Sequence, residues 1–322
     1  MTRQSFATVS PRISPSFAAE ARASLTRSGQ KSMPPKYLYD ALGSALFEAI
    51  TQLPEYGLWR AERRLLETHA AHIAALAPAS TVIELGSGSA SKTALLLRAL
   101  LRQRQVAYCA VDVSPAALEM TRLELAGRVG LRVRTVESEY LSGLDIAVQG
   151  RAIHGSTLVL LLGSSLGNLD FGASVRFLRH VRAVLHPGDH LLLGADLVKP
   201  EPELLAAYDD ALGVTAAFNL NLLRRMNREL GSDFMLTQFR HRARFNHDTH
   251  DVEMHLESLV DQTVRFADFA VTFRAGETLH SESSHKYSLA ELDQLMENCG
   301  FRNTARWIDA EGQFSSSLGV AA

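Results

Sequence analysis

The sequence predicts an α/β protein, a doubly wound parallel sheet carrying a second, smaller α+β lobe. Three observations predict it. Residues 82–85 form a short apolar, partly β-branched run that breaks at Gly86-Ser87-Gly88 and restarts as a Ser/Ala/Leu-rich helical stretch. Strand-like runs at 106–113, 131–136, 158–162 and 190–193 then alternate with helical stretches, which is the rhythm of βαβ units. Beyond Asp196 the rhythm stops and resumes with a helix at 289–298, so 196–286 reads as an insertion that builds the second lobe.

Taken in order, the first 36 residues are basic, with Glu20 as the single acid, and lack the continuous apolar segment of a secretion signal. Residues 1–29 are therefore expected to be a leader that settles onto the folded body. Pro34 and Pro35 precede a helix at 44–51, which Pro54 ends. Tyr37, Tyr39, Phe47 and Tyr56 cluster here and suit the walls of a substrate pocket. An amphipathic helix at 62–76 leads into the first sheet strand. Asp112 closes the next strand about 26 residues past Gly86, near where an acid meets ribose hydroxyls in such folds. Ser114-Pro115 opens another helix, with proline in its first turn. The run 158–162 is apolar on both faces, as a central parallel strand is. A helix at 173–185 and a turn at Pro187-Gly188-Asp189 lead to the fifth strand. Within the insertion, 204–230 reads as one long helix containing Asn219 and Asn221. Residues 234–245 and 252–273 read as antiparallel strands around a turn at 246–251. The polar stretch 280–287 follows the last of these strands. Glu282 and Ser284 sit two apart there, so in extended chain they point the same way.

Composition narrows the function. The chain has 322 residues, enough for one large domain or two smaller ones, and a formal net charge of −2. That balance gives no electrostatic case for nucleic acid. Cys109 and Cys299 lie far apart and form neither a CxxC motif nor a disulfide framework, which points to a reducing cytoplasm. No apolar run approaches the roughly 20 residues that span a bilayer.

The glycine loop suits a ligand that must approach the backbone at a helix N-terminus. Its pattern, G-x-G-x-A-S, lacks the third glycine of a dinucleotide fingerprint, and no G-x-x-x-x-G-K-[ST] is present. Glu84, just before the loop, is awkward beside a pyrophosphate but suits a cation. S-adenosylmethionine, with its sulfonium and ammonium, is the leading ligand; an NAD-linked oxidoreductase or a non-catalytic binding module is the competing class. Gly163-x-Ser165-x-Gly167 matches a serine hydrolase motif in letters, but the residues before the helix at 173 make a loop and not a nucleophile elbow. The same stretch is a candidate ligand loop at the carboxyl edge of the sheet, with Gly163 for close approach and Asn168 as donor and acceptor. His69 with His72, and His247 and His250 with Asp251, lack metal-site spacing, and no metal is assigned.

The stretches PPKYLYD, LFEAITQLPEY, ELGSGSASKT, LGSSLGN, LLLGADLVKP, AYDDALGVTAAFNLNLLRRMNRELGSDF and ESSHK together resemble the histidine Nα-methyltransferases of ergothioneine biosynthesis. These are class I S-adenosylmethionine-dependent enzymes with a Rossmann-like sheet, and the resemblance covers nearly the whole chain after residue 30. It implies three successive methyl transfers to the α-nitrogen of L-histidine, giving the betaine hercynine; the alternative acceptor is another aromatic amino acid or amine. Donor contacts are implied at Gly86 and Gly88 of the loop, Lys92 (the donor carboxylate) and Asp112 (ribose). Glu139-Tyr140 stands near the adenine, where the family usually carries Asp-Phe. Tyr39, Asn168 and Tyr208, with Gly163 beside them, would hold the amino-acid end of the substrate, and Tyr39 would steer the amine. Phe47, Tyr56, Glu282 and Ser284 would surround the imidazole. After Tyr56 the family often has a second tyrosine, and this chain has Gly57. The implied division is a donor-binding domain of 60–195 plus 287–322 and a substrate lobe of 30–59 plus 196–286. The expected partner is a small amino acid, with no nucleic acid or membrane, for a cytoplasmic monomer.

Overall fold

A computed structural model describes residues 8–9, 17–151 and 155–322. In chain order the elements are β1 (Thr8–Val9), α1 (Phe17–Thr26), β2 (Lys31–Ser32), α2 (Ala41–Ile50), α3 (Gly57–Leu76), β3 (Ala79–Leu85), α4 (Thr93–Leu101) and β4 (Val106–Asp112). Next come α5 (Pro115–Leu125), β5 (Leu131–Glu137), α6 (Tyr140–Val148), β6 (Ser156–Leu161), α7 (Phe171–Val184) and β7 (His190–Asp196). The insertion holds α8 (Glu201–Tyr208), α9 (Val214–Leu230), β8 (Phe239–Asn246), β9 (Asp251–Ser258), β10 (Gln262–Arg265), β11 (Ala270–Phe273) and β12 (Thr278–His285). Then α10 (Leu289–Asn298), β13 (Phe301–Asp309) and β14 (Phe314–Ala321) close the chain. Two compact units result. Unit 1 holds Leu58–Val198 and Lys286–Ala322 with β1; unit 2 holds Lys199–His285 and the described residues from 17 to Gly57.

Unit 1 is built on an eight-stranded sheet of order β1-β5-β4-β3-β6-β7-β14-β13, parallel from β1 to β7 with β14 and β13 antiparallel. The doubly wound prediction holds. Strand order reverses at β3, with β4 on one side and β6 on the other, and such a switch point opens a crevice at the carboxyl ends of the strands. Ile83, Val111, Val159 and Leu193 are fully buried, packed with Leu144, Phe177, Leu178 and Leu292 from the covering helices. One polar network crosses this apolar layer. Glu84 accepts from Thr93 Oγ1 at 2.6 Å and from the Tyr108 hydroxyl. Burial pushes its carboxyl up to about 7, although both hydroxyls favour the ionised form. Where the chain leaves and re-enters this unit, Lys286 Nζ lies 3.0 Å from Asp196, both buried, and Tyr287 bonds through its backbone to Asp196 and Val198.

Unit 2 pairs helices with a four-stranded sheet of order β2-β12-β9-β8. Asp40 caps α2 by accepting from the Gly43 N–H at 2.8 Å, and it also accepts from Asn221 on α9 and from Arg228, each at 2.7 Å. Burial alone would raise the Asp40 carboxyl, but these donors outweigh it and hold it below its ordinary range. Phe234, Phe239, Phe266 and Phe273 form an edge-to-face cluster between the sheet and the β10–β11 hairpin.

The insertion differs from expectation in three places. The long helix at 204–230 is two helices, because Asp210 accepts the N–H groups of Val214 and Thr215 and Gly213 takes φ +74°, which starts α9 afresh. The stretch 252–273 is three strands, and the first strand begins only at Phe239. The polar stretch placed after the last strand is largely β12, an inner strand whose Ser281, Glu282 and Ser284 are buried. The expected leader is also partly integral to unit 2: α1 buries Ala21 and Leu25, and Phe17 stacks on Tyr37 at 4.1 Å. Apart from β1 and residues from 17 onward, the leader lies outside the described residues.

Two stability predictions follow from these contacts. A Cβ on Gly43 would fall 1.7 Å from the Leu38 carbonyl oxygen, so Gly43→Ala should lower unfolding free energy by about 3 kcal/mol. An unchanged denaturant midpoint would refute that packing. Glu84 has an ordinary value of 4.5 and a folded value of about 7, so the unfolded chain releases its proton first. Folding is therefore penalised progressively as pH rises between those values, and Glu84→Gln has no such proton to lose. Its stability relative to wild type should improve by roughly 3 kcal/mol from about pH 4.5 to about pH 8. Thermal unfolding across that range reads the trend, and a pH-independent difference would contradict it.

Candidate active site

In unit 1 the glycine loop leaves β3 with Gly86 at φ +78° and Gly88 at φ +52°, conformations that side chains other than glycine rarely take. The N–H groups of Gly86 and Ser87 both reach the Val111 carbonyl, at 2.8 and 3.3 Å, which binds the loop to the end of β4. A Cβ on Gly86 would lie 2.9 Å from the Tyr140 hydroxyl, so a side chain here would also have to displace the end of that ring. Asp112 ties the two turns together: one oxygen accepts from Gly88 N–H at 3.0 Å and the other from Ser114 N–H at 2.9 Å. Burial pushes its carboxyl up, partly offset by these backbone donors. A carboxylate has about four acceptor positions, and with backbone donors from Gly88, Val113 and Ser114 one remains for a ribose hydroxyl. Glu139 stands at the N-cap of α6, and the Tyr140 ring packs edge-on against Phe177 at 6.0 Å. A cramped glycine turn, a buried acid beside it and a ring at the next strand's end fit the shape and chemistry of an adenosyl group.

Two residues assigned to the donor have partners within the protein. Glu84 turns inward to Thr93 and Tyr108, which ties the end of β3 to the start of α4 and to β4. Lys92, directly before α4, pairs with Glu62 on α3, which is completely buried. The sequence does not single out Glu62. It appears there as one charge among several at the start of an amphipathic helix, yet it lies four residues after Leu58 and three before Leu65, on the buried face.

Gly163, at φ +71°, and Asn168 belong to the loop after β6, in unit 1 with the donor residues. The Gly163 N–H is held by the Glu62 carboxylate at 2.9 and 3.0 Å. Ser165 starts a 3-10 turn, and its hydroxyl donates to the Leu162 carbonyl at 2.8 Å. Ser164 Oγ accepts from Asp196 N–H, and α7 begins at Phe171 under an Asp170 cap. Both serines are therefore committed to backbone, in a loop geometry unlike a nucleophile elbow.

Unit 2 gathers the remaining candidates. Tyr39 meets Phe47 at 5.5 Å, Phe47 meets Tyr56 at 6.2 Å, and Tyr56 meets Tyr208 at 6.1 Å, all edge to face. Phe218 on α9, not singled out from sequence, closes the chain of rings against Tyr39 and Phe47. The Tyr208 hydroxyl lies 2.8 Å from Ser284 Oγ. Glu282 and Ser284 face Met254 and Val252 across the β12–β9 ladder, so they share one buried face. Behind Tyr208, His241 Nε2 donates to the Tyr208 carbonyl at 2.7 Å while its Nδ1 accepts from Asn219 at 2.9 Å. Burial lowers the His241 pKa, which keeps the neutral ring that this donor–acceptor pattern requires.

The histidines set aside as metal ligands have other partners. His69 and His72 flank Trp307 at 5.9 and 5.5 Å, His247 pairs with Glu201, and Asp251 accepts from His285. Among the described residues no group of three or more His, Cys, Asp or Glu side chains is placed to hold a metal ion.

Comparison with known proteins adds an independent finding. The profile of a family described as histidine-specific methyltransferase, SAM-dependent, matches residues 17–321. The histidine N-alpha-methyltransferase of Mycolicibacterium smegmatis is 42% identical over 308 residues, 94% of each chain. That of Mycobacterium tuberculosis is 39% identical over 292 residues, 89% of this chain and 90% of the other. An L-tryptophan methyltransferase of Psilocybe serbica is 26% identical over 89% of this chain and 87% of the other. With the profile spanning almost the whole described chain and these relatives aligned end to end, the chain belongs to the histidine-specific, S-adenosylmethionine-dependent methyltransferase family.

Proposed function

We propose that this chain transfers methyl groups from S-adenosylmethionine to the α-amine of L-histidine, three times in succession, to give hercynine for ergothioneine biosynthesis. Names carried by relatives that span the same length support the reaction class. The observation in the chain itself that carries the reading is the face of β12, where Glu282 and Ser284 stand together and Tyr208 bonds to Ser284. A carboxylate and a hydroxyl can each satisfy one nitrogen of an imidazole ring, whereas an indole presents a single N–H. Buried polar groups of this kind reject an acceptor that leaves them unpaired.

Unit 1 is the donor unit in this reading. Gly86 and Gly88 admit the ligand to the backbone, Asp112 takes a ribose hydroxyl, Lys92 takes the donor carboxylate, and Glu139-Tyr140 borders the adenine. When bound, S-adenosylmethionine supplies an electrophilic methyl on a sulfonium. Unit 2 is the acceptor unit: Phe47, Tyr56 and Phe218 enclose the ring, and Tyr39 and Tyr208 bond the amino-acid end. Gly163 and Asn168 contribute the remaining polar contacts to the substrate. Tyr39 orients the neutral amine by accepting a hydrogen bond from its N–H, the ammonium formed by each of the first two transfers releases a proton to water before the next, and aromatic faces favour the methylated cation that results. Positioning supplies most of the acceleration, because in-line transfer needs a near-attack geometry more than a strong base. The chain is further inferred to work as a monomer in the cytoplasm without nucleic acid; the near-neutral charge supports the absence of nucleic acid and two free, buried cysteines support the compartment, and no helix among the described residues is long and apolar enough to cross a membrane.

Mass spectrometry of histidine incubated with enzyme and S-adenosylmethionine, beside a panel of aromatic amino acids, tests the proposal. Three methyl groups on the α-nitrogen of histidine alone are expected; preferential methylation of tryptophan would replace histidine by the aromatic alternative. Ser284→Ala leaves the Tyr208 hydroxyl without this partner, so KM for histidine should rise about tenfold or more while KM for the donor stays within about twofold. Asp112→Ala should show the opposite pattern. Both KM values rising together in each variant would dissolve the division into donor and acceptor residues.

A further inference from the structure

We propose that Glu62 is a positioning residue for the methyl donor, presenting the Lys92 ammonium and fixing the Gly163 loop with a single carboxylate; the proposal rests on Lys92 meeting the donor's carboxylate. The Glu62 side chain is completely buried, and Lys92 is only slightly exposed. One Glu62 oxygen pairs with Lys92 Nζ, and both oxygens lie within hydrogen-bond distance of the Gly163 N–H. The sheet is cut to fit it: a Cβ on Gly194, in β7, would fall 2.0 Å from Glu62 Oε1. This carboxylate therefore joins α3, the start of α4, the loop after β6 and strand β7.

A carboxylate buried on the apolar face of a helix is stabilised only if its partners are good, and here they are an ammonium and a backbone N–H. An ammonium has three donors. Spending one on Glu62 leaves others for a second carboxylate and holds the flexible four-carbon stem of Lys92 in one place. Without that anchor, donor binding would have to immobilise the side chain itself, which weakens affinity for the part of the donor that carries the carboxylate. Contacts to adenine and ribose would be untouched. Glu62→Gln is the informative variant, since it keeps an acceptor oxygen for Gly163 and removes the charge that orders Lys92.

Titration calorimetry on the full chain tests this with two probes, S-adenosylhomocysteine and 5′-methylthioadenosine, which lacks the amino-acid end. Glu62→Gln should weaken S-adenosylhomocysteine about tenfold and leave methylthioadenosine within about twofold, a selectivity that general misfolding does not produce. Lys92→Met should show the same selectivity, and the double variant should bind no more weakly than Lys92→Met alone. In turnover, Glu62→Gln should raise KM for the donor with kcat within about threefold. If Lys92→Met is selective but Glu62→Gln weakens both probes equally, or neither, Glu62 is a purely structural residue and the proposal is overturned. If Lys92→Met leaves S-adenosylhomocysteine binding unchanged, the Lys92 assignment itself is wrong, and the proposal fails with it.

Discussion

Taking a carboxyl group out of water is costly unless donors replace the water, and unit 1 does so four times at the carboxyl ends of its parallel strands. Glu62, Glu84, Asp112 and Asp196 are all at most 9% exposed. Each is satisfied differently: Glu62 by Lys92 and Gly163, Glu84 by two hydroxyls, Asp112 by two backbone N–H groups, and Asp196 by Lys286. Apart from Tyr108, which lies within β4, these partners sit at or beside a turn between a strand and the next element. The acids thus serve as fasteners for the loops that a parallel sheet leaves at its carboxyl edge. Loop positions that would otherwise be set by weak packing are set by charge-assisted bonds.

This arrangement holds the glycine loop in place through its own backbone. Gly86 and Ser87 are bonded to Val111, Gly88 to Asp112, and Thr121 donates to the Gly88 carbonyl at 2.8 Å. A loop already held by its own protein loses little freedom when a ligand arrives, and that preserves affinity. Unit 2 solves the same problem with a different chemistry. Its inner strand β12 is mostly Ser, His and Glu, and those polar groups are satisfied by neighbouring strands, by Tyr208 and by the serine hydroxyl that donates to the Met254 carbonyl. A strand assembled from polar residues is poor core but a good reading surface for a polar ligand.

How much of this is legible in the sequence depends on whether the residues follow the rule for their element. Strands β3, β4, β6 and β7 are apolar on both faces because they are central and parallel, so the alternating pattern and the glycine loop were readable. The break between α8 and α9 was not, since Asp209, Asp210, Ala211 and Leu212 are tolerable in a helix and only the Asp210 cap and Gly213 end it. Strand β12 was hidden for the opposite reason: TLHSESSH lacks the apolar alternation that marks a half-buried strand, and its burial is decided by tertiary partners.

The site residues divide along the same line. Those with a special backbone or aromatic type, such as Gly86, Tyr39 and Tyr56, stood out locally. Asp112 stood out by its position at a strand end. Glu62 did not, because a glutamate in a helix beside Arg60, Arg63 and Arg64 reads as a solvated charge. Its register is what distinguishes it: Leu58, Ala61, Leu65 and Leu66 around it are all buried, so the helix turns this charge toward the sheet while Arg63 pairs with Glu67 at the surface. A lone charge in phase with the apolar stripe of an amphipathic helix must find a partner inside the protein. In a chain whose next strand runs into a glycine loop, the cation that ends that loop is the natural one.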